Sequence, residues 1–175
     1  ALNAAFVDIG DEKEAFVHYL DLGLYFEAFD EFVRRINPNT DAKGIYKHIK
    51  PGKILEKEGR IENVLTPGQM IIVQIVKEPI STKGSRLTAE ISLAGRNIVL
   101  LPFAEKVSVS QKISSKEEKR RLETLVKSIL PKNYGAIIRT AAEGKNAAVL
   151  DAELMSLVDK WEDSWKKLAK SKAVQ

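Results

Sequence analysis

Four side chains offer the clearest binding chemistry in this sequence. Phe6 and Phe16 stand one in each of two short apolar runs, AAFVDIG and EAFVHYL. Exposed on a sheet, such rings are platforms on which nucleobases stack; turned inward, they fill the core of a barrel. Arg139 and Thr140 end another apolar run, GAIIRT. A guanidinium fork beside a hydroxyl can bind a terminal phosphate dianion, although the same pair also suits an ordinary exposed strand end.

Patterns typical of catalytic and metal-binding sites are missing. The carboxylates are scattered and are interpreted as solvated surface, as at Asp8, Glu90, Glu143 and Asp151. The chain contains no Cys, and its two His are too few for a His-rich metal site. A glycine-rich phosphate loop and a Cys-His nucleophile pair are also missing. The sequence therefore predicts no catalytic residue and no metal ligand in this chain.

Composition and charge agree with a globular chain that binds a polyanion. Hydrophobic residues make up 44% of the 175 positions and charged residues 30%, as in soluble domains. The net charge of +4 favours a polyanionic partner, because phosphates attract Lys and Arg. No apolar run approaches the roughly 18 residues that would span a bilayer, and the first residues lack the pattern of a secretory signal. We therefore expect a soluble, intracellular protein without a membrane-spanning segment.

The first half of the chain is predicted to be mainly β, with a helix inserted. A helix from Leu24 to Ile36 is predicted because apolar residues recur at three- and four-residue intervals before Pro38. Residues 37–68 are basic and rich in Gly and Pro, which predicts an irregular segment that is either solvated surface or a contact for a polyanion. Apolar and β-branched runs predict the strands, namely two between Ala4 and Leu20, one at Met70–Val76 and one at Leu87–Leu93.

A composition shift near residues 93–95 marks the start of an α+β second half. Ser115 and Glu118 have the spacing of a helix capping box, and the apolar face that follows ends before Pro131. Trp161 and Trp165 lie on the apolar face of a last helix and are interpreted as core residues; the chain is expected to fray after residue 168. Short strands are predicted at Asn97–Leu101, Val107–Ser110 and Gly135–Thr140.

Several strings resemble consecutive blocks of the RNase E/G family of endoribonucleases. They are AAFVDIG, VQIVKEPISTKG, LTAEISLAGRNIVLLP and GAIIRTAAEG, in the family's order and over nearly the whole chain. The resemblance implies an α+β chain of two domains. Residues 1–93 would form an S1-type OB-fold β-barrel that binds RNA, with its first strand missing and a helical insertion at about 22–68. Residues 94–175 would form a small α+β 5′-sensor domain.

In the first domain, the resemblance implies contacts with RNA. Phe6 and Phe16 match positions where the family has RNA-contacting Phe, which favours stacking over a core role. Lys77 and Lys83, both in KEPISTKG, match positions implicated in RNA contact. As phosphate partners they would add affinity without sequence choice, and a role in solubility alone is the alternative.

In the second domain, the resemblance implies a pocket for the 5′ monophosphate of RNA. Arg139 and Thr140 match the Arg-Thr pair of the family's 5′ sensor. Gly95 and Val99 match positions that line the pocket beside the terminal nucleotide, where Gly allows close backbone approach and Val gives an apolar wall. Gln111 departs from the family, some members of which carry Arg there, so one positive charge is missing.

For the whole protein, the resemblance implies a Mg²⁺-dependent endoribonuclease that acts on single-stranded RNA in cytoplasmic RNA processing and decay. It would be a homo-oligomer with a structural Zn²⁺. Both metals belong to parts of the family that follow the two domains, so the present chain would need no cofactor and would be inactive alone. Two other functions stay open: a stand-alone OB-fold RNA-binding protein without nuclease activity, and a scaffold whose basic insertion binds protein partners.

Overall fold

The computed structural model describes residues 2–171, which divide into two compact units. One unit comprises residues 2–41, 49–91 and 168–171, and the other comprises residues 42–48 and 92–167. The chain carries two four-stranded sheets together with helices, so its fold class is α+β. No helix in this part of the chain is both long and apolar enough to cross a membrane.

The first unit is built on four short strands, β1 (Ala4–Val7), β2 (Ala15–His18), β3 (Gln74–Lys77) and β4 (Arg86–Thr88). They lie in the order β1-β2-β4-β3. β2 and β4 run parallel, whereas the two outer pairs are antiparallel. Val17 of β2 and Leu87 of β4 are paired and fully buried, so this face of the sheet is the core side.

Helix α1 (Phe26–Arg35) closes one part of that core. Its aromatic residues recur every third position, and Phe26, Phe29 and Phe32 are all buried. The helix ends at Arg35, and its C-cap residue Ile36 already has extended backbone. The helix cannot readily resume, because Pro38 disfavours helical backbone in the residue that precedes it. Two 3-10 helices, at Tyr19–Leu22 and Ile61–Asn63, complete the regular structure of this unit.

The second unit has strands β5 (Leu93–Ala94), β6 (Ile98–Pro102), β7 (Val107–Val109) and β8 (Tyr134–Ile138) in the order β5-β6-β8-β7. β7 and β8 are parallel. Its helices are α2 (Ala42–His48), α3 (Lys116–Ile129) and α4 (Ala147–Lys170), with a 3-10 helix at Thr140–Ala142. The described part of the first half of the chain thus contributes one helix, α2, to this unit.

Tyr46 is the residue by which α2 enters the core of the second unit. Its ring lies 4.4 Å from that of Phe103, 4.9 Å from that of Tyr134 and 5.0 Å from that of Trp165, measured between ring centroids. Its hydroxyl donates to the carbonyl of Asn133 at 2.5 Å and accepts from the backbone N–H of Phe103 at 3.0 Å. Burial raises the pKa of this phenol well above its usual range. A buried tyrosine with two hydrogen bonds ties α2 to the unit.

The helix predictions are confirmed for α1, α3 and α4. The hydroxyl of Ser115 accepts a hydrogen bond from the backbone N–H of Glu118, as the capping pattern predicts. Trp161 and Trp165 are buried, at 3% and 4% exposure. Helix α4 continues to Lys170, and the rest of the predicted frayed end, residues 172–175, lies outside the described residues.

The strand and loop predictions are wrong in several places. Residues 70–73 are not strand, and the alternating segment from Leu87 leaves the sheet after Thr88. The reason is a change of backbone partner: the N–H of Ala89 bonds to Asp21 O and that of Ile91 to Ala89 O. Residues 37–68, predicted to be irregular, contain α2, and strand β8 ends two residues before the predicted end.

Candidate nucleic-acid interface

Four residues, one from each strand, form a row across the sheet of the first unit. Phe6 of β1 is paired with Phe16 of β2, which is paired in turn with Arg86 of β4. Arg86 is also paired with Lys77 of β3, next to a bulge. The residues that follow Phe16 and Arg86 are fully buried, so the row lies on the opposite, outer face of the sheet. One half of the row is aromatic and the other half is cationic.

The aromatic half of the row is accessible. Phe6 is 75% exposed, which excludes a core role for its ring. Phe16 is half-buried and meets His18 edge to face, with ring centroids 5.4 Å apart. Phe6 also lines a cavity of about 770 Å³ beside the loop from Thr66 to Ile72. Two paired rings on an outer face are a surface on which planar, apolar groups can stack.

The two lysines named from the sequence lie at and beyond the end of β3. Lys77 is exposed in that strand, and Lys83 is exposed in the turn that leads to β4. Ile80 and Lys83 exchange backbone hydrogen bonds of 3.1 and 3.0 Å, which closes this turn. Gly84 follows, and a Cβ there would lie 1.9 Å from the carbonyl oxygen of Glu14. Only glycine lets this backbone come so close, and it thereby brings the turn next to β2.

In the second unit, Arg139 comes directly after β8 and is exposed. Its backbone N–H donates to the carbonyl of Asn97 at 2.8 Å, and its Nη1 donates to the carbonyl of Gly95 at 2.9 Å. Both partners lie in the turn between β5 and β6. The guanidinium is therefore held against this turn through one nitrogen, and the other donors of the fork are not engaged by that bond.

Thr140 lies next to Arg139 and is tied to the end of β7. Its Oγ1 is 2.9 Å from Oγ of Ser110, with either hydroxyl as donor. Ser110 also accepts from the backbone N–H of Lys112 at 3.3 Å. Gln111 and Lys112 are exposed, so the neutral amide at position 111 is followed by a cation. The structure thus joins the hydroxyls of Thr140 and Ser110, and Thr140 is the sequence neighbour of Arg139.

Gly95 and Val99 flank Arg139 in different ways. Val99 is half-buried and paired with Ile137, which is 38% exposed, and the two form an apolar patch two residues from Arg139. A Cβ on Gly95 would lie 2.5 Å from a carboxylate oxygen of Glu153 and 2.9 Å from the backbone carbonyl oxygen of Ile98, which cannot move aside as a side chain can. The need for glycine at this position therefore comes from packing within the unit.

The loop after Thr140 is held by the first turns of α3. Oε2 of Glu118 accepts from the backbone N–H of Gly144 at 3.1 Å, and Nη2 of Arg121 donates to the carbonyl of Lys145 at 2.9 Å. Arg121 also hydrogen bonds to Glu118, and this bond, followed by the bond from Gly144, lowers the pKa of the Glu118 carboxyl. Charged hydrogen bonds of this kind restrain a loop more strongly than neutral ones.

Sequence patterns did not identify several residues of these two surfaces. Strand register and side-chain contacts place Arg86, His18 and Ser110 on these surfaces. Local sequence patterns do not predict such long-range relationships. Asn97 is a buried polar residue in a turn, and Glu153 lies in a helix 56 positions later. The parallel pairing of β2 with β4 and the packing of α4 are needed to find them.

Within residues 2–171, no group of three or more His, Cys, Asp or Glu side chains is placed to hold a metal ion. The arrangement offers binding chemistry, namely stacking on one unit and charge-assisted hydrogen bonding on the other.

Three known proteins compared with this chain are named ribonuclease E or ribonuclease G. The profile of the Ribonuclease E/G family matches residues 92–175. Ribonuclease G of Haemophilus influenzae is 38% identical over 174 residues, which are 98% of this chain and 30% of that protein. Ribonuclease E of Nostoc sp. is 35% identical over 162 residues, which are 92% of this chain and 20% of that protein. Ribonuclease G of Escherichia coli K12 is 37% identical over 160 residues, which are 91% of this chain and 29% of that protein.

The chain spans 20% to 30% of the length of these relatives. Their alignments include both units, and the profile match contains the Gly95 turn together with the Arg139-Thr140 pair. On these grounds the chain matches a fragment of the ribonuclease E/G family.

Proposed function

We propose that this chain is the RNA-binding and 5′-monophosphate-sensing portion of an RNase E/G-type endoribonuclease that acts on single-stranded RNA in RNA processing and decay. The first unit, together with its insertion, would be the S1-type OB domain. Its four strands with one parallel pair are compatible with part of an OB barrel. The second unit would be the 5′ sensor.

The observation that carries the proposal is the pairing of Phe6 with Phe16 on the outer face of the first sheet. The ring of Phe6 is exposed and does not fill the core, and the ring of Phe16 beside it is half-buried. Single-stranded RNA presents bases that stack on such rings at roughly 1 to 3 kcal/mol each. Lys77 and Lys83 lie at the far edge of the same sheet and would meet the phosphates without selecting a sequence.

Sensing of the 5′ end rests on the Arg139 surface. A monophosphate needs charge and directional donors, and the partly engaged fork of Arg139 beside the hydroxyl of Thr140 supplies both. Gly95 would border the terminal nucleotide with its backbone, and Val99 would border it with an apolar wall. The neutral Gln111 would leave the auxiliary charge to its neighbour Lys112.

Catalysis is proposed for the whole protein only. Mg²⁺-dependent cleavage, the structural Zn²⁺ and the homo-oligomeric state are what the family match suggests for it, and a cytoplasmic site of action agrees with RNA decay. Residues of this chain are assigned binding roles and no step of the cleavage reaction.

The test is RNA binding by the 175-residue chain, measured by fluorescence anisotropy with a short single-stranded RNA at constant salt. Phe6→Ala and Phe16→Ala should each weaken binding about 5- to 150-fold, which corresponds to the loss of one stacked base. Ile54→Ala removes an exposed apolar side chain elsewhere in the same unit and should leave affinity unchanged.

Thermal unfolding of each variant separates the two roles of these rings. If affinity falls only in proportion to lost stability, or if neither Phe variant changes the dissociation constant, stacking is wrong and the first unit does not capture RNA through this face. RNA binding that responds to the Phe variants but never to the state of the 5′ end would favour a stand-alone RNA-binding protein.

A further inference from the structure

Arg86 lies at the centre of the row that crosses the first sheet. It is paired with Phe16 on one side and with Lys77 on the other. The next residue along the strand, Leu87, is fully buried, so the side chain of Arg86 lies on the outer face with the aromatic rings. This side chain is 39% exposed. Its position therefore joins the aromatic and cationic halves of the surface.

The guanidinium of Arg86 is held in one orientation by Asp21. Its Nε and Nη2 both donate to Oδ2 of Asp21, at 3.1 and 3.0 Å. Asp21 is itself anchored, because its carbonyl accepts from the Thr88 hydroxyl at 2.9 Å and from the Ala89 N–H at 2.8 Å. The pair engages two of the five N–H groups of the guanidinium, and the remaining three are outside this pair.

We propose that Arg86 is a phosphate-binding residue of the RNA interface and that Asp21 positions its guanidinium. The inference rests on the proposed RNA binding by the first unit and adds the direction in which the RNA strand lies on the sheet. Bases lie over Phe6 and Phe16, and the phosphates pass over Arg86 and Lys77. A pre-oriented guanidinium loses little freedom when it binds a phosphate, and the Asp21 carboxylate offsets part of its charge.

The alternative role is an ion pair that serves only the fold. Partly exposed pairs of this kind contribute little to stability, so a gain in stability does not account for the Arg86-Asp21 pair. The two roles differ in the salt dependence of RNA affinity. A residue that neutralises a phosphate releases a counterion, and its removal lowers the slope of log affinity against log salt by about 0.7 for single strands.

The experiment measures dissociation constants of the 175-residue chain for a single-stranded RNA with a 5′ hydroxyl, at several salt concentrations. Omitting the 5′ phosphate keeps the Arg139 surface from contributing. The matched controls come from the exposed pair Arg35 and Glu31 on α1, whose nitrogen and oxygen are 3.1 Å apart. Arg35→Gln and Glu31→Gln change the same net charges without touching the sheet.

We expect Arg86→Gln to weaken binding about tenfold and to lower the salt slope by about 0.7, whereas Arg35→Gln leaves the slope unchanged. Asp21→Asn keeps an acceptor for the guanidinium but removes the competing charge, so it should tighten binding about threefold beyond Glu31→Gln. That gain should vanish in the Arg86→Gln background. Arg86→Lys, available if Arg86→Gln does not fold, should keep the slope and lose part of the affinity.

An affinity and slope of Arg86→Gln equal to those of Arg35→Gln would overturn the assignment of Arg86, as would a gain in Asp21→Asn that persists without Arg86. Phe16→Ala, measured in parallel, separates this failure from a failure of the proposed function. If Phe16→Ala weakens binding and Arg86→Gln does not, only the phosphate assignment is wrong. If neither has an effect, the sheet is not an RNA-binding surface and both proposals fall.

Discussion

The carboxylate of Glu153 accepts hydrogen bonds from the backbone N–H of Asn97 through both oxygens, at 3.0 and 3.1 Å. Asn97 and Gly95 are the two residues whose carbonyls bind Arg139. Glu153 on α4 thus fixes the turn against which the guanidinium rests. Glu153 would therefore support the proposed 5′-phosphate site indirectly, by holding the turn to which Arg139 is bonded, and would not contact a ligand itself.

Glu153→Ala should therefore reduce the preference for a 5′ monophosphate over a 5′ hydroxyl by about 3- to 10-fold, since the turn loses charge-assisted bonds and Arg139 loses its fixed partner. Loss of a negative charge alone would act in the opposite direction and raise the preference. The measurement is the ratio of dissociation constants for the two RNA forms. Asp159→Asn, an exposed position of the same helix, is the control; a ratio that rises or stays constant in Glu153→Ala contradicts the positioning role.

Arg139→Ala should abolish about a tenfold to hundredfold preference for the 5′ monophosphate, because a charge-assisted bond to phosphate is worth roughly 1.5 to 3 kcal/mol. Arg139→Lys retains the charge without the fork, so its preference for the 5′ monophosphate should lie between those of the wild-type chain and Arg139→Ala. Thr140→Val should cost less, as its hydroxyl already shares a bond with Ser110. An unchanged ratio in folded Arg139→Ala would leave this residue as ordinary surface.

Tyr46→Phe should destabilise the second unit by about 1 to 3 kcal/mol, since two hydrogen bonds are lost at a buried site while the ring stays in place. Urea unfolding followed by tryptophan fluorescence measures this, because Trp161 and Trp165 lie in the same unit. Tyr19→Phe is the comparison, with one hydroxyl bond to Glu56 O in the first unit. A change below about 0.5 kcal/mol would show that α2 is held by packing alone.

Glu118 should make stability depend on pH in the acid range. Its pKa in the folded chain is lowered from the usual value of 4.5, chiefly by the hydrogen bond from Arg121. A lowered pKa means that the ionised carboxylate stabilises the fold above that value, and the contribution is lost as pH falls through the lowered pKa.

The wild-type chain should therefore have a higher free energy of unfolding than Glu118→Gln at neutral pH. This difference should disappear as the pH falls through the lowered pKa of Glu118. Urea midpoints at a series of pH values measure it, with Glu117→Gln reporting the loss of one exposed charge on the same helix. A difference that stays constant down to the acid limit would mean that the Arg121 contact does not persist in solution.

Local patterns were enough for the three longer helices of this protein, but not for α2, and for the residue types of the candidate site. Apolar spacing located α1, α3 and α4, and the Ser115 cap was visible because both of its partners lie within one turn. The family strings pointed to Phe6, Phe16, Arg139 and Thr140 for the same reason, as each stands in a short distinctive segment. Strand ends were less predictable, because a strand stops where its ladder partner stops and that partner lies far away in sequence.

The sequence by itself determined the α+β class and the family match of this protein, since amphipathic periods and motif strings are properties of neighbouring residues. Tertiary structure alone decided that Arg86 stands between Phe16 and Lys77, because a parallel register joins β2 to a strand 70 positions later. It also decided that α2 packs in the second unit and that Glu153 supports Arg139 through Asn97. Strand register and contacts between distant residues are collective properties of the folded chain, and no local pattern encodes them.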